Sequence, residues 1–149
     1  MSWRITSFLI VALILLLALI LTGSSAHAGD RVAIVVNADR TDTITLETVA
    51  EIYLKKRRFW SNGKPIIPVN RDATSETRSL FTRLAFGDTA RNLARYWNGQ
   101  YILGVLPPAT LASDEAVKRF VAAEPGAIGY IDASTVDDSV RAALYLGVR

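Results

Sequence analysis

The chain has 149 residues, half of them hydrophobic, with 17 Lys or Arg, 14 Asp or Glu, one His and no Cys. A formal charge of +3 is too small to mark a nucleic-acid surface. The absence of Cys excludes a disulfide framework, a thiol nucleophile and a lipid-modified cysteine.

Met1 to Arg4 carries one positive charge, Phe8 to Leu21 is an unbroken apolar run of 14 residues, and Ala26-His27-Ala28 fits a small-residue cleavage pattern. This order predicts a secretory signal peptide over residues 1–28, cleaved rather than retained as an anchor, because a spanning helix needs about 20 apolar residues. The expected destination is the periplasm of a Gram-negative bacterium. Removing 28 of the 149 residues leaves 121, enough for one compact domain over 29–149. One arginine and no acid leave with it, so the charge drops from +3 to +2. The only His, His27, leaves as well. A mature chain with neither His nor Cys excludes a Ser-His-Asp triad, a Cys nucleophile and the common zinc sites. No enzyme, cofactor or metal is expected.

Along the mature chain, Arg31 to Asn37 is a branched apolar run and predicts a buried strand. Thr45 is a candidate N-cap for an amphipathic helix with Leu46, Val49, Ala50, Tyr53 and Leu54 on one face. Lys55 to Arg58 places four cations at its C-terminal end, where they complement the helix dipole. Ser61-Asn62-Gly63 predicts a turn, and Ile66 to Val69, between Pro65 and Pro68, a short extended strand. A second helix starts near Thr74 or Ser75, carries Leu80, Phe81, Leu84 and Ala85, and ends near Gly87. Asp88 is a candidate cap for a third, with Ala90, Leu93, Ala94 and Trp97 as its stripe; this spacing places Trp97 in the core, the alternative being that Tyr96 and Trp97 line a pocket. Gly99 to Pro108 reads as a loop. Ser113 caps a fourth helix with Val117, Phe120 and Val121 inward, stopped by Pro125-Gly126. Ala127 to Ile131 and Arg141 to Leu146 predict strands, and Gly129 within the former predicts close backbone approach or a bulge. Roughly four helices and four strands, interleaved, predict an α/β three-layer sandwich: a small mixed sheet with helices on both faces.

The chemistry concentrates in Asn70 to Phe81. Arg71 ends a strand, and Ser75, Thr77 and Arg78 fall at the start of the next helix. Unpaired N–H groups, hydroxyls and guanidinium groups converging on a helix tip suit a small oxyanion. The alternative for the same residues is a helix cap with a surface ion pair. For Lys55 to Arg58 with Phe59 and Trp60, the alternatives are a solvated helix end anchored by the Trp, a docking patch for an acidic protein, or a nucleic-acid patch, which secretion disfavours. Asp132, Asp137 and Asp138 do not have calcium-loop spacing and read as a polar surface loop.

Taken together, IYLKKRRFWSNGKPIIPVNR, SETRSLF, Tyr96-Trp97, the Gly104 to Pro108 loop, Ser113-Asp114 and PGAIGYID resemble the phosphate-type periplasmic binding proteins, the solute receptors of phosphate ABC transporters. The closest likeness is to short stand-alone members equivalent to about one lobe of a two-lobed receptor. The resemblance implies that Arg71, Ser75 and Thr77 bind phosphate or another small oxyanion for transport or sensing, with Arg78 as a second cation. It also implies an inner-membrane transporter or sensor as partner. Ala73 stands where the family has an acid, and Thr74 and Glu76 stand where it has Gly, which weakens phosphate selectivity in particular. The other reading of the resemblance is an interaction module that has kept the fold and lost the ligand. Charge-assisted hydrogen bonds contribute about 1.5–3 kcal/mol each, association costs about 4 kcal/mol or more, and micromolar affinity needs about 8 kcal/mol. One open lobe would therefore bind weakly, and tight binding requires a closing partner such as a homodimer mate.

Overall fold

The structure, a computed structural model, describes residues 31–87 and 90–147, except the side chains of residues 90 and 91. The expected signal peptide and the expected cap at Asp88 lie outside the described residues. In chain order the elements are β1 (Arg31–Val36), α1 (Leu46–Tyr53), β2 (Ile67–Arg71), α2 (Glu76–Phe86), α3 (Ala90–Ile102), β3 (Ala109–Leu111), α4 (Asp114–Ala123), β4 (Ala127–Asp132), a 3₁₀ turn (Ala133–Thr135) and β5 (Arg141–Gly147). The strands form one sheet in the order β3-β2-β4-β1-β5. β1 pairs antiparallel with both β4 and β5, while β2 is parallel to β3 and β4. Four strands therefore point one way and β1 alone runs against them.

The sheet is covered on both faces, and β1 shows why its sequence is apolar throughout. Val32, Ile34 and Val36 face α1 and α2, meeting Val49, Ile52, Tyr53, Phe81 and Ala85. Ala33 and Val35 face the other way, with Val69 and Ile131, onto Val117 and Val121 of α4. Alternation along a strand sends successive side chains to opposite faces, so a strand between two helical layers has no polar side. On the first face Phe81 stacks on Tyr130 with ring centroids 3.9 Å apart, and Tyr53 leans on both rings. On the second, a Cβ at Gly129 would lie 2.5 Å from Val117 Cγ1, so the glycine lets α4 approach β4. The result is an α/β sandwich with a small mixed sheet, as the residue pattern predicts.

Helix starts follow their caps. Thr45, Ser75 and Ser113 each accept the backbone N–H three residues on. Gly87 ends α2 in the left-handed region at φ 61. Three differences from the sequence reading stand out. Gly99 to Pro108 is not all loop: α3 continues through Gly99 to Ile102. The stop is Gly104, at φ 76, where the Gly104 and Val105 N–H groups turn back onto the Tyr101 and Gln100 carbonyls. Ala109–Leu111 forms the short edge strand β3, which sequence reading misses. Trp97 is also not a core residue. It is half-buried, and among the described side chains of α3 none is buried.

Candidate functional site

The parallel arrangement of β2, β3 and β4 brings their C-terminal ends, Arg71, Leu111 and Asp132, to one rim of the sheet. Two helices, α2 and α4, begin from that rim within a few residues. Their positive ends therefore open on the same side, at the carboxyl ends of the strands, where open α/β sheets hold ligands.

Arg71 lies at the centre. Its backbone N–H donates to the Tyr130 hydroxyl at 3.1 Å, and that hydroxyl donates to Asn70 Oδ1 at 3.1 Å. Burial pushes the Tyr130 hydroxyl pKa up to about 12, so it remains a neutral donor through the whole ordinary pH range. The Arg71 guanidinium turns to the tip of α2, with Nη2 3.5 Å from Ser75 Oγ. On its other side, Nε lies 3.0 Å from Asp114 Oδ1, an ion pair without hydrogen-bond alignment. Nη1 is buried and has no hydrogen-bond partner. Asp114 is itself fixed: its Oδ2 accepts the Asp132 N–H at 3.1 Å and the Thr135 hydroxyl at 3.2 Å.

Ser75 is the N-cap, and its Oγ accepts the Arg78 N–H at 3.3 Å. The Ser79 N–H returns to the Ser75 carbonyl, which leaves the Glu76 and Thr77 N–H groups as the donors without an intrahelical acceptor. Thr77 is half-buried beside them and Glu76 is exposed. The Arg78 side chain goes elsewhere. Its Nη1 donates to the Arg71 carbonyl at 2.8 Å, and it lines a cavity between α2 and α3. Of the four residues the sequence nominates, Arg71 and Ser75 stand together, Thr77 flanks them, and Arg78 supports the backbone of Arg71 from behind.

The segment before the helix is held by Asp72. Its carboxylate accepts both the hydroxyl (2.6 Å) and the N–H (2.9 Å) of Thr74, and those bonds draw its pKa below the usual carboxylate value. Ala73 is exposed and contributes no charge. The carboxylate beside Arg71 comes instead from Asp114, at the far end of the sequence segment. Asp114, Tyr130 and Asn70 are the residues that sequence reading missed. The signal for Asp114 was present, since an acid immediately after a Ser cap marks a helix start. Its pairing with Arg71 depends on β2 and β3 being neighbours. Among the described residues no group of His, Asp and Glu could hold a metal ion, and no helix is long and apolar enough to cross a membrane.

A two-faced α/β sheet with cationic and N–H donors at its strand ends is the architecture of a solute-binding lobe. The family model described as the PBP superfamily domain matches residues 26–147, and the chain belongs to that superfamily. Among curated proteins none matches it. Among solved structures, similarity is found to a protein from Clostridium perfringens assigned as a phosphate ABC transporter substrate-binding protein, with phosphate bound (28% identity, TM-score 0.62, 76% of this chain and 44% of that one). It is also found to an ABC-type phosphate transport receptor from Vibrio cholerae (28% identity, TM-score 0.60, 76% and 45%). PstS from Borrelia burgdorferi shares the fold at 18% identity, with a TM-score of 0.58 and 75% and 46% coverage. The chain thus spans less than half the length of these structures, as one lobe of a larger receptor would. The first two of these relatives are binding or transport-receptor proteins by description, not enzymes.

Proposed function

We propose that this protein is a periplasmic, phosphate-receptor-like lobe that binds phosphate or another small oxyanion for transport or sensing. The observation that carries the reading is the Arg71 guanidinium, held at the tip of α2 with Nη1 buried and unpartnered. Buried polar atoms are nearly always paired, and a guanidinium donor beside free helix N–H groups suits an anion oxygen. Arg71 would supply the main charge. Ser75 and Thr77 would supply hydroxyls, with the Glu76 and Thr77 N–H groups. Arg78 would add positive charge from behind while its bond to the Arg71 carbonyl keeps Arg71 in place. The N-terminal 28 residues would deliver the chain across the inner membrane and be removed. A transporter permease or a sensor would receive the signal, and a second copy or another lobe would close the site.

The test is calorimetric titration of phosphate and sulfate into the purified protein, with mass measured in solution. Binding that Arg71→Ala abolishes is the expected result. No heat and no thermal shift at millimolar anion overturns the reading. A second reading, an interaction module that has lost its ligand, is favoured by one observation: Asp114 already sets a carboxylate 3.0 Å from Arg71 Nε. In that case Asp114→Asn, which removes the competing charge, restores no anion binding.

A further inference from the structure

Behind Arg71, α2 and α3 enclose a cavity of about 120 Å³ that the oxyanion site does not use. Its lining is of two kinds. Phe81, Phe86, Leu93 and Trp97 supply an apolar wall, and Arg78, Asn70, Thr82 and Tyr53 bring polar groups to it. The Asn70 Oδ1 is engaged by Tyr130, and one Arg78 nitrogen by the Arg71 carbonyl. The remaining Arg78 donors meet no acceptor among the described residues.

An ordinary packing gap is apolar all round. A cavity of about 150 Å³ lined only by aliphatic and aromatic groups stays dry and takes benzene. The cavity here is of similar size but has a guanidinium in its wall, so its complement is an apolar body carrying a negative head. A small pocket with mostly apolar walls and a few convergent polar groups is the usual form of a small-molecule site. Phosphate suits it poorly, since the aromatic wall offers no donors to most of its oxygens. Entry is also provided for. Among the described side chains of α3 none is buried, and the Tyr96 hydroxyl donates to the Leu54 carbonyl at 2.8 Å. We propose that this cavity is a second binding site, for a small aromatic or branched monocarboxylate, with the carboxylate on Arg78 and the apolar body against Phe81, Phe86 and Trp97.

The experiment is titration of benzoate and, separately, benzyl alcohol into the purified protein, followed by intrinsic fluorescence, since Trp97 lies in the wall. A saturable change with a dissociation constant near or below about 1 mM is expected for benzoate. Binding of benzyl alcohol should be weaker by about tenfold or more, the worth of one charge-assisted hydrogen bond. Trp97→Phe should remove the signal. Arg78→Gln should weaken benzoate at least about tenfold and leave benzyl alcohol unchanged. Ala94→Phe, at an exposed position on the rim, should block both ligands without touching Arg78, and it decides the matter should Arg78→Gln not fold. No saturable change, equal affinity for the acid and the alcohol, or undiminished binding in Ala94→Phe would each overturn the proposal. Arg78→Gln also removes the bond to the Arg71 carbonyl, so the comparison with the phosphate titration rests on Ala94→Phe, which leaves Arg71 and Arg78 in place and should not change phosphate binding.

Discussion

α4 and α3 are helices of similar length on the same small sheet domain, yet they are held in opposite ways. α4 starts on a Ser113 cap, sends Val117 and Val121 fully out of solvent, and lies so close to β4 that only a glycine fits beneath it. α3 has no buried side chain among those described, and a cavity separates it from α2. The two modes divide the labour. α4 fixes Asp114 and through it the position of Arg71, while α3 forms one wall of the cavity beside Arg78. A rigid helix belongs where a charge must be aimed, and a loosely held one where something must enter.

Three substitutions sharpen the contrast. The largest effect is expected from Gly129→Ala. The new methyl would meet Val117 Cγ1 at 2.5 Å, and a β-branched side chain in a packed interface has no room to turn away. Overpacking of this kind costs about 1–3 kcal/mol, measurable as a lower urea midpoint at unchanged slope. Leu93→Ala on α3 should cost less, under about 1 kcal/mol, because the side chain is half-buried beside a cavity and leaves few contacts behind. Equal losses for the two variants would remove the distinction between the helices. The smallest effect concerns the outer edge of α4, where Lys118 pairs with Asp137 and Glu115 at 2.5 Å each. The Lys118 bond holds the Asp137 carboxyl down at about 2, from its usual 3.8. A depressed carboxyl pKa contributes stability above the unfolded value that is lost as pH falls through the folded one. The melting temperature should therefore fall between about pH 4 and about pH 2, and Asp137→Asn should flatten that stretch of the profile.

The residues most legible in the sequence are those whose partners are near in the chain. Thr45, Ser75 and Ser113 mark three helix starts because a cap bonds three residues ahead. The apolar runs at Val32 and Ile128 mark two central strands because both faces of each are buried. What failed depended on context. Gly99 looked like a stop, but a glycine inside a helix costs only about 1 kcal/mol, and the left-handed turn that ends α3 falls at Gly104. β3 has three residues with exposed or half-exposed side chains, so no apolar period announces it. Trp97 had the right spacing for the core, but spacing names a face and not what the face meets. At the candidate site, Arg71 and Ser75 were readable because they are four residues apart. Asp114 and Tyr130 reach Arg71 only because β2 lies between β3 and β4, and nothing local records that order.

The place of β1 has a consequence for the order of assembly. Its two neighbours, β4 and β5, are the last two strands among the described residues, and its side chains from Val32 to Val36 are wholly enclosed once they are in place. Both ladders of β1 therefore join it to segments about 90 residues or more further along the chain. Such distant pairing raises contact order and slows folding.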